Sequence, residues 1–324
     1  MLARNHKLIP LFSARSRQEF DSRSSSGVIS ELQDLERSLS NGVAGGIFSV
    51  DGFCIPCGKT VSFRVDMQAG GRQEDGIFIP NWRERLICPS CRMSNRQRLM
   101  STLVMQHLEL CATRQDVYLM EQITPLYKWI ANKFDQYSIV GSEYIGSDYQ
   151  GGDIVGPLDY QAPLRFDNLL NTARHKLSLF YSMFRMGGIR HEDITKLSFS
   201  DASLDLIISN DVFEHVPDPK AAFRECARVL RSGGLMFATI PFHINSDISV
   251  VRAQLTATEV HNLLPPMYHG NPVSADGSLV FTDFGWDIIR LFLEAGFSDG
   301  MVEVYGCAEY GHLGGGQIIF KATK

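Results

Sequence analysis

Leu204-Asp-Leu-Ile-Ile-Ser-Asn-Asp-Val-Phe-Glu-His-Val-Pro-Asp-Pro219 is the stretch that decides the fold of this chain. Leu206-Ile-Ile208, bounded by Asp205 and Ser209, is a short continuous apolar run and reads as a buried strand over Asp205–Ser209. A helix fits Pro219–Leu230, and a second apolar strand fits Leu235–Ile240. Strand, helix, strand with apolar strands is the repeating unit of a parallel sheet covered on both faces.

The alternation continues outward in both directions. Strands are predicted at Val117–Met120, Ser138–Tyr144, Gly188–His191, Met301–Tyr305 and Gln317–Lys321, with helices at Pro125–Phe134 and Asp283–Ala295. The expected class is α/β, a doubly wound seven-stranded sheet over residues 113–324. Two insertions interrupt it, near 151–187 with a helix over Phe166–Met186, and near 243–282. Residues 1–45, with Ser24, Ser25 and Ser26 in a row, read as a flexible arm carrying a short helix over Ser30–Ser40.

Residues 46–112 have a different logic. Cys54-Ile-Pro-Cys57 and Cys88-Pro-Ser-Cys91 enclose a 30-residue loop with strands expected at Thr60–Met67 and Gly76–Pro80, and a linker helix follows over Arg96–Ala112. Two residues between cysteines let one turn present both thiolates to one ion. Two such turns complete a tetrahedral shell, so Cys54, Cys57, Cys88 and Cys91 are expected to hold a structural zinc in a ribbon-like module. A redox role needs a CxxC opening a helix after a βαβ strand, which neither pair has. Cys111, Cys226 and Cys307 read as core thiols. Arg83, Arg85, Arg92, Arg96 and Arg98, with Trp82, surround the second pair. They are either a site for an anionic ligand or a face of solvated and internally paired side chains.

The bulk properties narrow the function classes. The 324 residues are 44% hydrophobic, enough for a sizeable core, and the net charge of −5 argues against nucleic acid as a partner. Seven cysteines, four of them in CxxC pairs, suit a reducing compartment. The N-terminus shows no secretory pattern and no apolar run reaches bilayer length, so a cytoplasmic protein is expected. The oligomeric state stays open.

The block Asp193-Ile-Thr-Lys-Leu-Ser-Phe199, Leu204–Pro217, Ala222–Leu230 and Ser232-Gly-Gly-Leu-Met-Phe-Ala-Thr-Ile-Pro241 resembles the type 11 group of class I S-adenosylmethionine-dependent methyltransferases. The resemblance covers about fifty residues in order and spacing, and it implies a Rossmann-like sheet with S-adenosylmethionine as cofactor. In a doubly wound sheet the ligand lies at the carboxyl ends of the strands. There Glu143, at the end of the second strand, suits the ribose hydroxyls. Asp193 suits the adenine amino group, and Ile194 the adenine face. Asn210, directly after the fourth strand, joins the cofactor set. The family's glycine-rich turn after the first strand is absent. Glu121-Gln-Ile-Thr-Pro125 stands there, which implies a wider turn, contacts from the Glu121 and Gln122 side chains to the methionine end, or a lost cofactor site.

On the acceptor side, Asp211, His215 and His243 are the candidate catalytic residues, a histidine being the natural base for a hydroxyl. Asp211-x-x-Glu214-His215 also resembles an ExxEH arrangement of magnesium-assisted O-methyltransferases, with Asp211 and Glu214 at helical spacing sharing an ion. His261 and His269 lie in the second insertion, beside the aromatic loops Tyr268–Val273 and Phe281–Trp286. Three readings follow. One is an O-methyltransferase of a sugar, glycan or secondary-metabolite hydroxyl. The second is an RNA or protein methyltransferase guided by the zinc module, and the third a non-catalytic scaffold with the fold alone.

Overall fold

The computed structural model describes residues 7–25, 27–41, 43, 47–159, 181, 183–257, 259–271 and 273–324. The helix expected over Phe166–Met186 lies largely outside the described residues. The chain divides into two compact units, one of Met1–Arg114, Trp129–Lys133 and Met301–Lys321, the other of Gln115–Lys128, Phe134–Gly300 and Ala322–Lys324.

The first unit starts with β1 (Phe12–Ala14), α1 (Arg17–Ser24) and α2 (Val28–Ser40). The expected loose arm is therefore largely structured. Its serines act as caps: Ser16 Oγ accepts from Glu19 N at 3.3 Å to start α1. Phe20 is buried, with its ring 5.4 Å from that of Phe12. Glu36 of α2 is buried and accepts from the amides of Gly314 and Gly315 at 2.6 and 2.7 Å. There follow β2 (Phe48–Cys54) and β3 (Lys59–Val65), paired antiparallel, then β4 (Arg72–Glu74) and β5 (Ile77–Ile79), also antiparallel. The helix α3 (Asn95–Leu108) opens with a capping box. Gln97 N donates to Ser94 Oγ and Ser94 N donates to Gln97 Oε1 at 3.2 Å.

Next along the chain come β6 (Asp116–Leu119), α4 (Pro125–Lys133), β7 (Ser138–Gly141), β8 (Ile154–Val155), β9 (Ile189–Arg190) and β10 (Leu204–Asn210), all in the second unit except the last five residues of α4. Then follow α5 (Pro219–Val229) and β11 (Leu230–Thr239). Asp218 caps α5 by accepting from Ala221 N at 2.9 Å, with Pro219 in the first turn. Leu206, Ile207 and Ile208 are fully buried, which is why β10 shows a continuous apolar run rather than alternation. The second insertion forms three short antiparallel pairs from β12 (Val250–Val251), β13 (Ala253–Leu255), β14 (Val260–Asn262), β15 (Tyr268–Asn271), β16 (Ser274–Leu279) and β17 (Thr282–Asp283). Asp283 thus lies in a strand, and the helix expected from it, α6 (Ile288–Ala295), starts five residues later.

With β18 (Asp299–Cys307) and β19 (His312–Thr323), a seven-stranded mixed sheet forms in the order β1-β18-β19-β11-β10-β6-β7. Seven strands were expected, but one member differs. Gly187 and Gly188 hold φ of +71° and +113°, so regular strand geometry begins only at Ile189. β9 pairs antiparallel with β8 and reaches the segment after β7 through a single parallel bridge, Glu143 to His191. β1 supplies the seventh strand instead, antiparallel to β18. Among the described residues no helix is long and apolar enough to cross a membrane.

Candidate functional site

β6 is flanked by β7 and β10, parallel to both, so the chain direction of winding reverses between β6 and β10. The carboxyl ends at such a reversal form a ligand crevice. Glu121 and Gln122 follow β6 there, and Asn210 ends β10. Asn210 Nδ2 donates to Glu121 Oε1 at 2.7 Å and joins the two strand ends.

The loop after β6 has no glycine, and an acid from the neighbouring strand holds it instead. Glu143 Oε1 accepts from Gln122 N at 2.8 Å and Ile123 N at 3.1 Å. The loop's amides are thereby satisfied without a tight glycine turn. Gln122 reaches the opposite way, accepting from Arg190 N at 2.8 Å. Burial pushes the Glu143 carboxyl up to about 7, against the two amide bonds that favour its charged form, and neighbouring Glu121 pushes the same way as burial. The close approach that a glycine provides is found at Gly141, where a Cβ would stand 2.5 Å from the Tyr127 ring and 2.7 Å from Glu121 O. No spacing rule in the sequence pointed to it.

Asp193 is engaged locally. Its Oδ1 accepts from Thr195 N at 2.8 Å and Thr195 Oγ1 at 2.7 Å, closing a turn, with Ile194 buried beside it.

After β10, Asp211 takes φ +53° and its Oδ1 accepts from Thr239 Oγ1 at 2.9 Å. Phe213–His215 is one 3-10 turn, so Asp211 and Glu214 do not share an α-helical face as the motif suggested. A different trio gathers: Glu214, His215 and His269 bring their ligand atoms within 4.8 Å of one another. His243 stands apart, its Nε2 3.8 Å from Asp283 Oδ1. The sequence marked His269 only as a resident of the second insertion, and nothing local tied it to Glu214.

In the first unit, Cys54, Cys57, Cys88 and Cys91 converge within 4.8 Å, with Sγ–Sγ distances of 3.9 Å for Cys54–Cys91 and 3.8 Å for Cys57–Cys88. Four thiolates around a zinc at 2.3 Å would stand about 3.8 Å apart, so the set has the edge length of a tetrahedral site. The Cys88 thiol is held well below its ordinary range, chiefly by hydrogen bonds from Cys54 and Cys91. Arg98, expected on a surface face, is fully buried with its guanidinium 3.9 Å from the Phe63 ring centroid. It donates to Tyr310 O and Gly311 O at 2.7 Å each, and burial brings it down to about 10 while the cysteines oppose that shift. The other arginines are mostly paired internally. Arg85 pairs with Asp66, while Arg83 and Arg96 meet Glu84 at 2.5 and 2.7 Å.

Comparison with known proteins bears on the crevice. Residues 167–238 match the methyltransferase domain family of type 11. A probable S-adenosylmethionine-dependent methyltransferase of Mycolicibacterium smegmatis is 39% identical over 56 residues, 17% of this chain and 22% of that protein. A ubiquinone biosynthesis O-methyltransferase of Parvibaculum lavamentivorans is 46% identical over 41 residues, 13% and 16% of the two chains. This chain thus spans about a fifth of the length of the curated relatives it matches. Among solved structures, the Burkholderia thailandensis 1,6-didemethyltoxoflavin-N1-methyltransferase, bound to 1,6-didemethyltoxoflavin and S-adenosylhomocysteine, is 16% identical. It covers 70% of this chain and 77% of its own, with a TM-score of 0.34.

Proposed function

We propose that this protein transfers a methyl group from S-adenosylmethionine to a hydroxyl of a small molecule, a sugar, glycan or secondary metabolite. The observation that supports the reading is the hydrogen-bonded gathering of Glu121, Gln122, Glu143 and Asn210 at the carboxyl ends of the strands where the topology reverses, Asn210 lying within the segment that matches the methyltransferase domain. The loop amides take Oε1 of Glu143, and Oε2 carries no hydrogen bond among the described residues, which suits it to ribose hydroxyls. Asp193 and Ile194 would meet the adenine, and Glu121 the ammonium of the methionine end. The cofactor supplies an electrophilic methyl. The chain's own work is to orient the acceptor and let its proton leave, with Asp211, His215 and His243 on that side.

The cysteine set is read as a structural zinc site. Its spacing supports this, and so does the buried cation of Arg98, which offsets the net negative charge of four thiolates around a divalent ion. Internal pairing of the surrounding arginines counts against a guide for RNA. A second reading, a scaffold without catalysis, is favoured by one observation: the loop amides that would face a cofactor are spent on Glu143.

Labelled S-adenosylmethionine offered with a panel of nucleotide-sugars, glycan fragments and phenols separates the two. Enzyme-dependent label in a hydroxylated acceptor is expected. Absence of transfer across the panel, together with no binding of S-adenosylhomocysteine, would leave the scaffold.

A further inference from the structure

Glu214 raises a question that its neighbours answer. Its carboxylate is fully buried, and among the described residues neither Oε1 nor Oε2 has a hydrogen-bond partner. A bare buried carboxylate is costly, so such a group calls for a cation beside it. Two imidazoles stand at its edge: His215 Nε2 at 3.4 Å and His269 Nδ1 at 3.6 Å from Oε1.

Three further contacts hold this geometry. His215 Nδ1 lies 2.8 Å from Leu279 O, so the N–H is at Nδ1 and the neutral ring presents a lone pair at Nε2. A ring oriented by a backbone carbonyl behind it is the usual arrangement of a metal-binding histidine. Phe281 N donates to Glu214 O at 2.7 Å, which pins the end of the β16 segment to the 3-10 turn. β15 pairs with β16, with His269 opposite Ser278, and so carries its imidazole to the same place.

We propose that Glu214, His215 and His269 bind a divalent transition-metal ion, zinc by preference. Donors at about 2.0–2.1 Å from a tetrahedral ion stand about 3.3–3.4 Å apart, close to the observed 3.4 and 3.6 Å. Two imidazole nitrogens and one carboxylate suit zinc, not magnesium, which prefers an oxygen shell. Three protein ligands leave a fourth position open for an oxygen of water or of a small molecule. The site differs from the Asp211–Glu214 pair suggested by the motif, because Asp211 bonds Thr239 and His269 takes its place. Its evidence rests neither on methyl transfer nor on the cysteine set, although a metal-bound His215 would leave the acceptor's proton to His243 or to an oxygen held at the metal.

Metal stoichiometry and cobalt spectra of the full chain test it. Wild type should hold about two zinc ions per chain, and His269→Ala and Glu214→Gln about one each. Cobalt in the cysteine set gives intense thiolate charge-transfer bands, whereas cobalt at the proposed site gives only weak visible bands of nitrogen and oxygen ligation. The two sites are therefore read separately even if one is absent. Zinc should raise the melting temperature of Cys88→Ser, and the same addition should do nothing for Cys88→Ser combined with Glu214→Gln. Without metal, Glu214→Gln alone should melt no lower than metal-free wild type, because neither carboxylate oxygen has a hydrogen bond among the described residues to lose. Unchanged zinc content in both His269→Ala and Glu214→Gln would overturn the proposal. So would the absence of any nitrogen- and oxygen-ligated cobalt signal in wild type.

Discussion

Glu143 concentrates at one residue the tension between folding and ligand binding. The carboxyl is buried, braces the loop through Gln122 and Ile123, and sits at about 7 instead of 4.5 because burial disfavours its charge. A raised carboxyl binds its proton more tightly in the folded state than in the unfolded one. Its contribution is therefore fully present below about pH 4.5 and is lost as pH rises through about 7. The shift corresponds to roughly 3 kcal/mol over that window. Denaturant melts between pH 4.5 and 8 should show wild type losing stability relative to Glu143→Gln, and a constant difference across that range would refute the assignment. Ribose hydroxyls donating to the carboxylate favour its charged form. Affinity for S-adenosylhomocysteine should accordingly rise over the same interval in wild type and stay level in Glu143→Gln.

At the scale of elements, the parallel strands β6, β10 and β11 and the helix α5 were legible because each announces itself locally, by an apolar run or an amphipathic repeat. The paired CxxC turns were legible for the same reason, their spacing being a local property. β1 and α1 were not, since Phe12–Ala14 is only three residues long and becomes a strand by pairing with β18 nearly three hundred residues away. Arg98 was singled out with its neighbours, but its burial was not legible: it depends on carbonyls at Tyr310 and Gly311, which no local pattern reveals. The helix α3 holds this cluster from one end, with Asn95 Nδ2 donating to Trp82 O at 3.0 Å and Leu313 O at 2.8 Å. Arg98→Met would strand the two carbonyls and remove the buried cation, costing about 1–3 kcal/mol and loosening zinc. Arg96→Met, at the part-exposed pair with Glu84, should cost no more than about 1 kcal/mol. Chemical melts and metal analysis of the two variants check this, and equal effects would remove Arg98 from the account. Cys88→Ser should lose one zinc per chain and its thiolate cobalt bands; retention of both would show that the cysteines do not form a site.

At the scale of the whole molecule, one unit bears the four cysteines and the other the β6–β10 strand reversal, where Glu121 and Glu143 stand and no glycine turn follows β6. The residues proposed for the cofactor are drawn from four separate segments, around Glu121, Glu143, Asp193 and Asn210, and only the order of the strands brings the first, second and fourth to one edge. The departure at Glu121-Gln-Ile-Thr-Pro125 is the point on which function turns. If the braced loop still admits the methionine portion, the protein is an enzyme. If it does not, the fold has outlived its cofactor. Calorimetric titration of the full chain with S-adenosylhomocysteine decides this without knowledge of the acceptor. The account predicts saturable binding at one site per chain, weakened by roughly 1.5–3 kcal/mol in Glu143→Ala. No heat of binding in wild type up to millimolar ligand, with the protein folded and its metal intact, would contradict it.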